Sequence, residues 1–394
     1  MHVPGWHEGT LNLQREGKLA MAGIVQEQHP DRARLFMQWK RMEWPILVDS
    51  LNLLGVDAVP ITVAIDEHGI VRAAGIKLSE AAHFAENFAA ATYSAPSEPP
   101  QSPILPDAET LKRTGRWQSY ADALFLWGEG GRFREVIDAY ERALGAAGDL
   151  APPVLFRLGV AYRARYDSVQ RQPGDFQAAV DHWQKALDRN PNQYIWRRRI
   201  QQYGPRLDKP YPFYDWVTQA REEIRRRGEE PAPLVVEPGG AEIATPAKTL
   251  AAQPDSTEPD PGGRIHRDEM PFVLVERTVV PPAVRPGSTG RTHIVFRPNT
   301  ARKAHWNNEA GDLVVWIDPP AGWETDARRL TVPNPPAAVS QEQRRVEFEF
   351  RVPEAAPAGE TEVPAYALYY VCEDEHGVCL YRRQDLPLSV RVAR

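Results

Sequence analysis

The clearest hydrophobic pattern lies in the last third of the chain. In "RRVEFEFRV" the apolar Val346, Phe348, Phe350 and Val352 take every second position, with charged residues between them. That period of two places all four on one face of an extended strand. The runs "FVLVERTVV", "THIVFRP", "DLVVWIDP", "AYALYYVC" and "LPLSVRV" read as strands too, separated by Pro and Gly. About seven short strands of this kind predict a sandwich of two packed antiparallel sheets. Its expected core is Trp316, Phe348, Phe350, Tyr366, Leu368 and Leu388.

Residues 108–229 follow the helical period instead. Two stretches share an order of residue types. Gly131, Phe133, Val136, Ile137, Tyr140, Ala143 and Leu144 form the first; Gly174, Phe176, Ala179, Val180, Trp183, Ala186 and Leu187 form the second, with Asn190-Pro191 as a stop. "RLGVAY", with Gly159 and Tyr162, precedes the second stretch, and "RARYDSVQRQP" reads as an insertion in the turn that follows it. Helices around Tyr194–Tyr203 and Trp216–Arg227 are expected to complete the block. The "RRR" runs at 197–199 and 225–227 read as solvated helix faces and a cation-favouring helix end, with binding of an acidic tail as the sharper alternative.

Residues 1–93 mix both patterns. "WHEGTLNLQREGK" reads as a helix stopped by Gly17. "LAMAGIVQ" suits a strand buried on both faces. "DRARLFMQWKRM" reads as a helix with Asp31 at its N-cap. The segment Ile61–Ile65, a tight Asp-Glu-His-Gly turn and Ile70–Ala74 follow as a hairpin. Alternating helix and strand predicts an α/β module.

Two stretches rich in Pro, Ala, Ser and Gly, 94–107 and 230–263, separate these three parts. Neither has enough apolar residues to offset the entropy of ordering, so both are expected to be extended or disordered connectors. They account for part of the 37 prolines among 394 residues. The formal net charge of -6 and the 25% charged residues give no sign of nucleic-acid binding. No run of about 18 apolar residues suggests a membrane span. HExxH, a Gly-rich phosphate loop and GxSxG are absent from the sequence, and no cofactor or metal is expected.

Three family resemblances sharpen this reading. "LNLLGVDAVPITVAIDEHGIV" resembles the thioredoxin-like redoxins of the TlpA and peroxiredoxin-related type, over about 90 residues. The resemblance puts Pro60 at the family's cis-proline position, with Ile61 where Thr is usual. It also puts Pro4 at the proline that follows the redox C-x-x-C motif. The motif and the first sheet strand are then expected upstream of Met1, and without them this part performs no dithiol chemistry. "MHVPGWHEGT" has no secretory pattern, so an extracytoplasmic place is expected only with further sequence. The helical block resembles tetratricopeptide repeats, which implies a scaffold for a redox partner or a client.

The third resemblance includes the only two cysteines, Cys372 and Cys379, in "YYVCEDEHGVCLY". Read from the residues alone, they form a redox pair, a metal clip with His376, or a staple across a hairpin. Three soft ligands lack the fourth that zinc prefers. His376 would help a thiolate form, whereas Glu373, Asp374 and Glu375 would oppose it. "VCEDEHGVC", "DLPLSV" and "HWNNEAGD" (His305 to Asp312) resemble the N-terminal immunoglobulin-like domain of the DsbD thiol:disulfide transporter family, with six residues between the cysteines where five is usual. This resemblance implies an exchanging pair. The sequence therefore predicts a multidomain chain: a truncated α/β thioredoxin-like part, all-α tetratricopeptide-type repeats and an all-β immunoglobulin-like sandwich. The expected function is a redox relay. The alternative is a binding scaffold with a degenerate redoxin and a structural disulfide.

Overall fold

A computed structural model describes residues 2–98, 107–128, 131–147, 152–208, 213–243, 247–254, 256–373 and 377–394. It combines helices with mainly antiparallel sheets, as a mixed multidomain chain should. Its contacts define two compact units: 1–167, 185–199 and 214–237 form the first; 168–184, 200–213 and 238–394 form the second.

The first unit begins with α1 (His2–Arg15), β1 (Gly23–Val25), α2 (Pro30–Lys40), β2 (Ile46–Val48), β3 (Val63–Ile65), β4 (Val71–Ala74) and α3 (Ala81–Ala90). Strand β1 pairs in parallel with β2, and β3 pairs antiparallel with β4 as a separate hairpin. The hairpin turn is held by Asp66, whose Oδ1 accepts the N–H groups of His68 and Ile70 at 2.9 Å each. Gly69 supplies the positive φ of 79°. The Val59–Pro60 peptide is cis.

Two expectations for this region need correction. The strand within "LAMAGIVQ" is not buried on both faces: it shrinks to three residues, and Ile24 is 48% exposed. A strand paired along one edge in a two-stranded sheet has too little structure around it to cover both faces. Asp31 is not the N-cap either. The helix starts at Pro30, His29 holds the cap position, and the Asp31 carboxylate accepts the Val235 N–H at 2.7 Å. Proline suits a first helical position because its missing N–H has no partner there anyway.

The helices α4 (Ala108–Arg113), α5 (Trp117–Trp127), α6 (Phe133–Ala147) and α7 (Pro152–Tyr166) follow, then α8 (Asp175–Arg189), α9 (Tyr194–Gln201) and α10 (Trp216–Arg226). The apolar positions read from the repeat are inside: Val136, Ile137, Tyr140, Ala143, Phe176, Ala179, Val180, Trp183 and Ala186 are all buried. The insertion is shorter than expected. Helix α7 runs on through "RARY", where Arg163 reaches one turn forward to Asp167 at 2.9 Å.

Arg199 overturns the reading of its "RRR" run as a solvated face. It is 2% exposed, with its guanidinium bonded to the Gln28 amide oxygen and the Ser50 carbonyl. Arg157 donates to the Leu51 carbonyl, and Gln193 donates to Asp57. Helices α7 and α9 therefore hold the loops around 28 and 49–57 of the α/β part. Burying a guanidinium is tolerable only because it is hydrogen-bonded. Residues 230–237 have no regular structure but bond back to this unit through Gln38, Asp31 and Arg221.

The second unit carries β5 (Val273–Val280), β6 (Thr289–Pro298), β7 (Ala304–Asn307), β8 (Leu313–Ile317), β9 (Glu324–Thr325), β10 (Arg329–Val332), β11 (Val339–Ser340), β12 (Arg344–Arg351), β13 (Gly359–Val363), β14 (Ala365–Glu373), β15 (Cys379–Asp385) and β16 (Leu388–Val392). All ladders here are antiparallel. One sheet runs β5-β6-β12-β9, and β13 pairs with β16. The other sheet is built on β14: β15 lies along one edge, while β8 and then β7 share the other.

A single core collects Val346, Phe348, Phe350 and Val352 with Trp306, Val315, Tyr369 and Val371. Gly290 makes room for it, since a Cβ there would lie 2.5 Å from the Phe350 ring. All six expected core residues are buried. Trp316, Tyr366 and Leu368, however, form a second cluster on the outer face of β14 and β8, under Ile265. Period two explains this, because residues 366 and 368 point opposite to 367 and 369.

Candidate functional site

The site is built at the end of the β14–β15 hairpin. Residues Tyr366, Leu368, Tyr370 and Cys372 alternate outward from β14, and register sets Tyr370 opposite Tyr381 and Cys372 opposite Cys379. The two cysteines are joined as a disulfide with Cα atoms 4.0 Å apart. That is closer than the ~5.5–6 Å typical of disulfides. The reason lies in the ladder. The Glu373 N–H donates to the Val378 carbonyl at 3.3 Å, so the preceding pair, 372 and 379, is the closely spaced kind without backbone bonds.

The two sulfur-bearing residues differ in access. Cys372 is 3% exposed, whereas Cys379 is exposed. Tyr370 and Tyr381 stack beside the disulfide with ring centroids 4.3 Å apart. Burial first, then Tyr370, pushes the Tyr381 hydroxyl above its ordinary range. The turn in "HWNNEAGD" lies against this stack, and a Cβ on Gly311 would come within 2.9 Å of the Tyr370 ring. Glu373 pairs at 4.0 Å with Arg302, whose guanidinium also covers the Phe272 ring at 4.1 Å.

Further along the hairpin, residues 260–268 strap the outer face. Asp260 binds Arg383 at 2.9 Å, and its N–H donates to the Tyr366 hydroxyl at 3.1 Å. Burial pushes that hydroxyl up to about 12, against the lowering effect of the Asp260 N–H. Backbone bonds join Asp268 and His266 to Arg383. This backbone pairing reaches Arg383 and no nearer the cysteines. The segment 230–263 is thus tied down in part, with Ala241, Glu242 and Asp260 buried.

Cys372 and Cys379 are therefore brought together. Pro60 lies in the first unit, exposed on the connection into β3. His376 lies outside the described residues. Among the described residues no group of three or more His, Cys, Asp or Glu could hold a metal ion, and no helix is long and apolar enough to cross a membrane. Sequence reading missed His305, which the ladder sets directly opposite Cys372 on β7. His305 was in view within "HWNNEAGD", but only the register reveals its neighbour. Tyr370 and Tyr381 flank the cysteines at matching distances, a symmetry that was legible.

The fold and site together define a mixed helical and sheet chain with a disulfide across an exposed hairpin end. No family model matches the chain, and no curated protein matches it. Solved structures with a local resemblance include the following three. One is AvmM, described as catalysing macrocyclization in alchivemycin A biosynthesis, at 14% identity over 31% of this chain and 89% of that one, with a TM-score of 0.19. A second is the Bacillus subtilis sporulation control protein Spo0M, at 13% identity over 32% and 51%, TM-score 0.17. The third is a Porphyromonas gingivalis protein of unknown function, at 21% identity over 30% and 48%, TM-score 0.16. At these scores none bears on function.

Proposed function

We propose that this protein carries out thiol–disulfide exchange at Cys372–Cys379, with a second protein that presents a dithiol. On this reading the sheet unit is a DsbD-like immunoglobulin sandwich, the helices are tetratricopeptide-type repeats, and the first 93 residues are a thioredoxin-like part without its own dithiol. The observation that carries it is the unequal exposure of the pair. An incoming thiolate meets the exposed Cys379 sulfur, and the S–S bond breaks with its electron pair passing to Cys372. A mixed disulfide then joins the partner to Cys379. The partner's second thiolate attacks its own sulfur in that bond and releases Cys379 as a thiolate. The partner leaves as a disulfide, and this protein gains two electrons and two protons. The reverse sequence oxidises a partner.

The helical block has a narrower role here than the sequence suggested. Its helices α7 and α9 already hold the loops around Gln28, Leu51 and Asp57. It serves to fix the α/β part in place, and the exchange partner docks at the hairpin.

Equilibration of the purified chain against a glutathione series tests this. A potential above about −300 mV is expected, in the range where disulfides exchange. A potential well below that marks a structural bond and removes the relay.

A further inference from the structure

Exchange at an exposed Cys379 leaves a thiolate on Cys372, and that sulfur is in a poor place for charge. The residue is 3% exposed, and burial in apolar surroundings disfavours a thiolate. A cation beside it would make it a better leaving group. The ladder supplies one neighbour. Cys372 is paired with Cys379 on β15 and with His305 on β7, so the three residues form a row across adjacent strands. Directly opposed residues point to the same face of an antiparallel sheet. Because 372 and 379 are the pair without backbone bonds, 372 and 305 are the pair that exchanges them, with Cα atoms about 5.5 Å apart.

His305 is half-buried. Its imidazole has no hydrogen bond or ion pair among the described residues, whereas Arg302, three residues earlier, is engaged by Glu373, the Met270 carbonyl and the Phe272 ring. Among the described residues, the charged and titratable groups next to it in chain and ladder are Arg302 and Lys303 preceding its strand, and Glu373, Tyr370 and Tyr381 on the hairpin. Beyond β11 lies the Glu342–Arg344 pair. Of these residue types only an imidazole ordinarily changes charge between about pH 5.5 and 8.

We propose that His305 is the cationic partner of the Cys372 thiolate during exchange. This rests on the exchange reading above. When the S–S bond breaks, the electron pair settles on Cys372, and the His305 imidazolium holds the charge or passes its proton to that sulfur. In the reverse direction the neutral imidazole takes the Cys372 thiol proton before the thiolate attacks the mixed disulfide.

The test uses the full chain with dithiothreitol as the probe dithiol. Reduction is followed by alkylation and mass, and each rate is divided by the probe's thiolate concentration. In the native protein this normalised rate is expected to fall as pH rises from about 5.5 to 8. His305→Gln should give a flat profile, slower by about tenfold at the acid end, as for a leaving thiol whose pKa is no longer lowered by a cation. His305→Lys, a permanent cation there, should give a flat profile near the fast limit. A flat native profile, or a Gln variant that follows the native one, overturns the assignment while leaving exchange intact. A Lys variant as slow as Gln also overturns it. Resistance of the native disulfide to excess probe removes both the exchange reading and this one. Matching circular dichroism for the three proteins separates a charge effect from misfolding.

Discussion

The runs "LAMAGIVQ" at 19–26 and "AYALYYVC" at 365–372 look equivalent as text, yet only the second is built into a core. Strand β1, from the first run, has one partner strand and leaves Ile24 48% exposed; its partner β2 leaves Leu47 59% exposed. The neighbouring hairpin adds Ile65 at 54% and Val71 at 57%. Strand β14, from the second run, is paired along both edges by β15, β8 and β7, and Ala367, Tyr369 and Val371 are sealed beneath it. Its other face is covered as well, by Trp316 and Ile265 around Tyr366 and Leu368. Hydrophobic pattern selects a strand, but partners and covering layers decide whether it is buried. Those partners are non-local, so a window of eight residues cannot reveal them.

The largest test of this contrast falls on the covered side. Phe348 is 2% exposed, lies with its ring centroid 6.3 Å from that of Phe350, and belongs to the same core as Trp306 and Tyr369. Phe348→Ala should cost about 3–5 kcal/mol, as the ring's transfer energy and the cavity it leaves add together. Urea unfolding followed by circular dichroism in the strand region would measure it. A loss under about 1 kcal/mol would mean that the sheets are not packed around this ring.

A smaller effect is expected where the cover is charged. On the far face of β6 and β12, Glu347 accepts from His293 at 2.8 Å and from Arg291, and His293 Nε2 donates to the Tyr203 carbonyl at 2.7 Å. Burial pushes the Glu347 carboxyl up, but His293 and Arg291 outweigh it and hold it well below its ordinary value of 4.5. A carboxylate lowered on folding adds stability above its unfolded value, and that stability is lost as pH falls from there through the folded value. Glu347→Gln should therefore cost about 1 kcal/mol near neutral pH, discounted for a partly exposed group. The gap between native and variant should close steadily below about pH 4.5. Melting temperatures across an acid series would show it, and a gap that widens on acidification would reverse the sign argued here.

How far the sequence could be read follows the same line. The alternation around Phe348 and the helical spacing around Trp183 were legible, because each is local and both sets of residues are buried. The disulfide was legible as one of three readings, because a hairpin joins its ends within eight residues. The buried Arg199, the second face under Trp316 and the row His305–Cys372–Cys379 were not. Each depends on a partner at least 50 residues away: Gln28, Tyr366 and Cys372 itself. A charged or aromatic residue carries no local mark of where such a partner lies.

The smallest expected effect probes the uncovered side, where a null result is the informative one. Ile24→Thr keeps a β-branched residue on a short strand and removes apolar surface that is already 48% exposed. The change should stay within about 0.5 kcal/mol in urea unfolding. Thr satisfies the strand's steric preference as Ile does, so the comparison isolates burial from propensity. A loss above about 1 kcal/mol would need Ile24 to be covered in solution by something that shields it as the strap shields Tyr366, because transfer of so small a side chain costs that much only when water is excluded. Dilution would then separate the sources: a cover made by a second copy weakens with falling protein concentration, and one made within the chain does not.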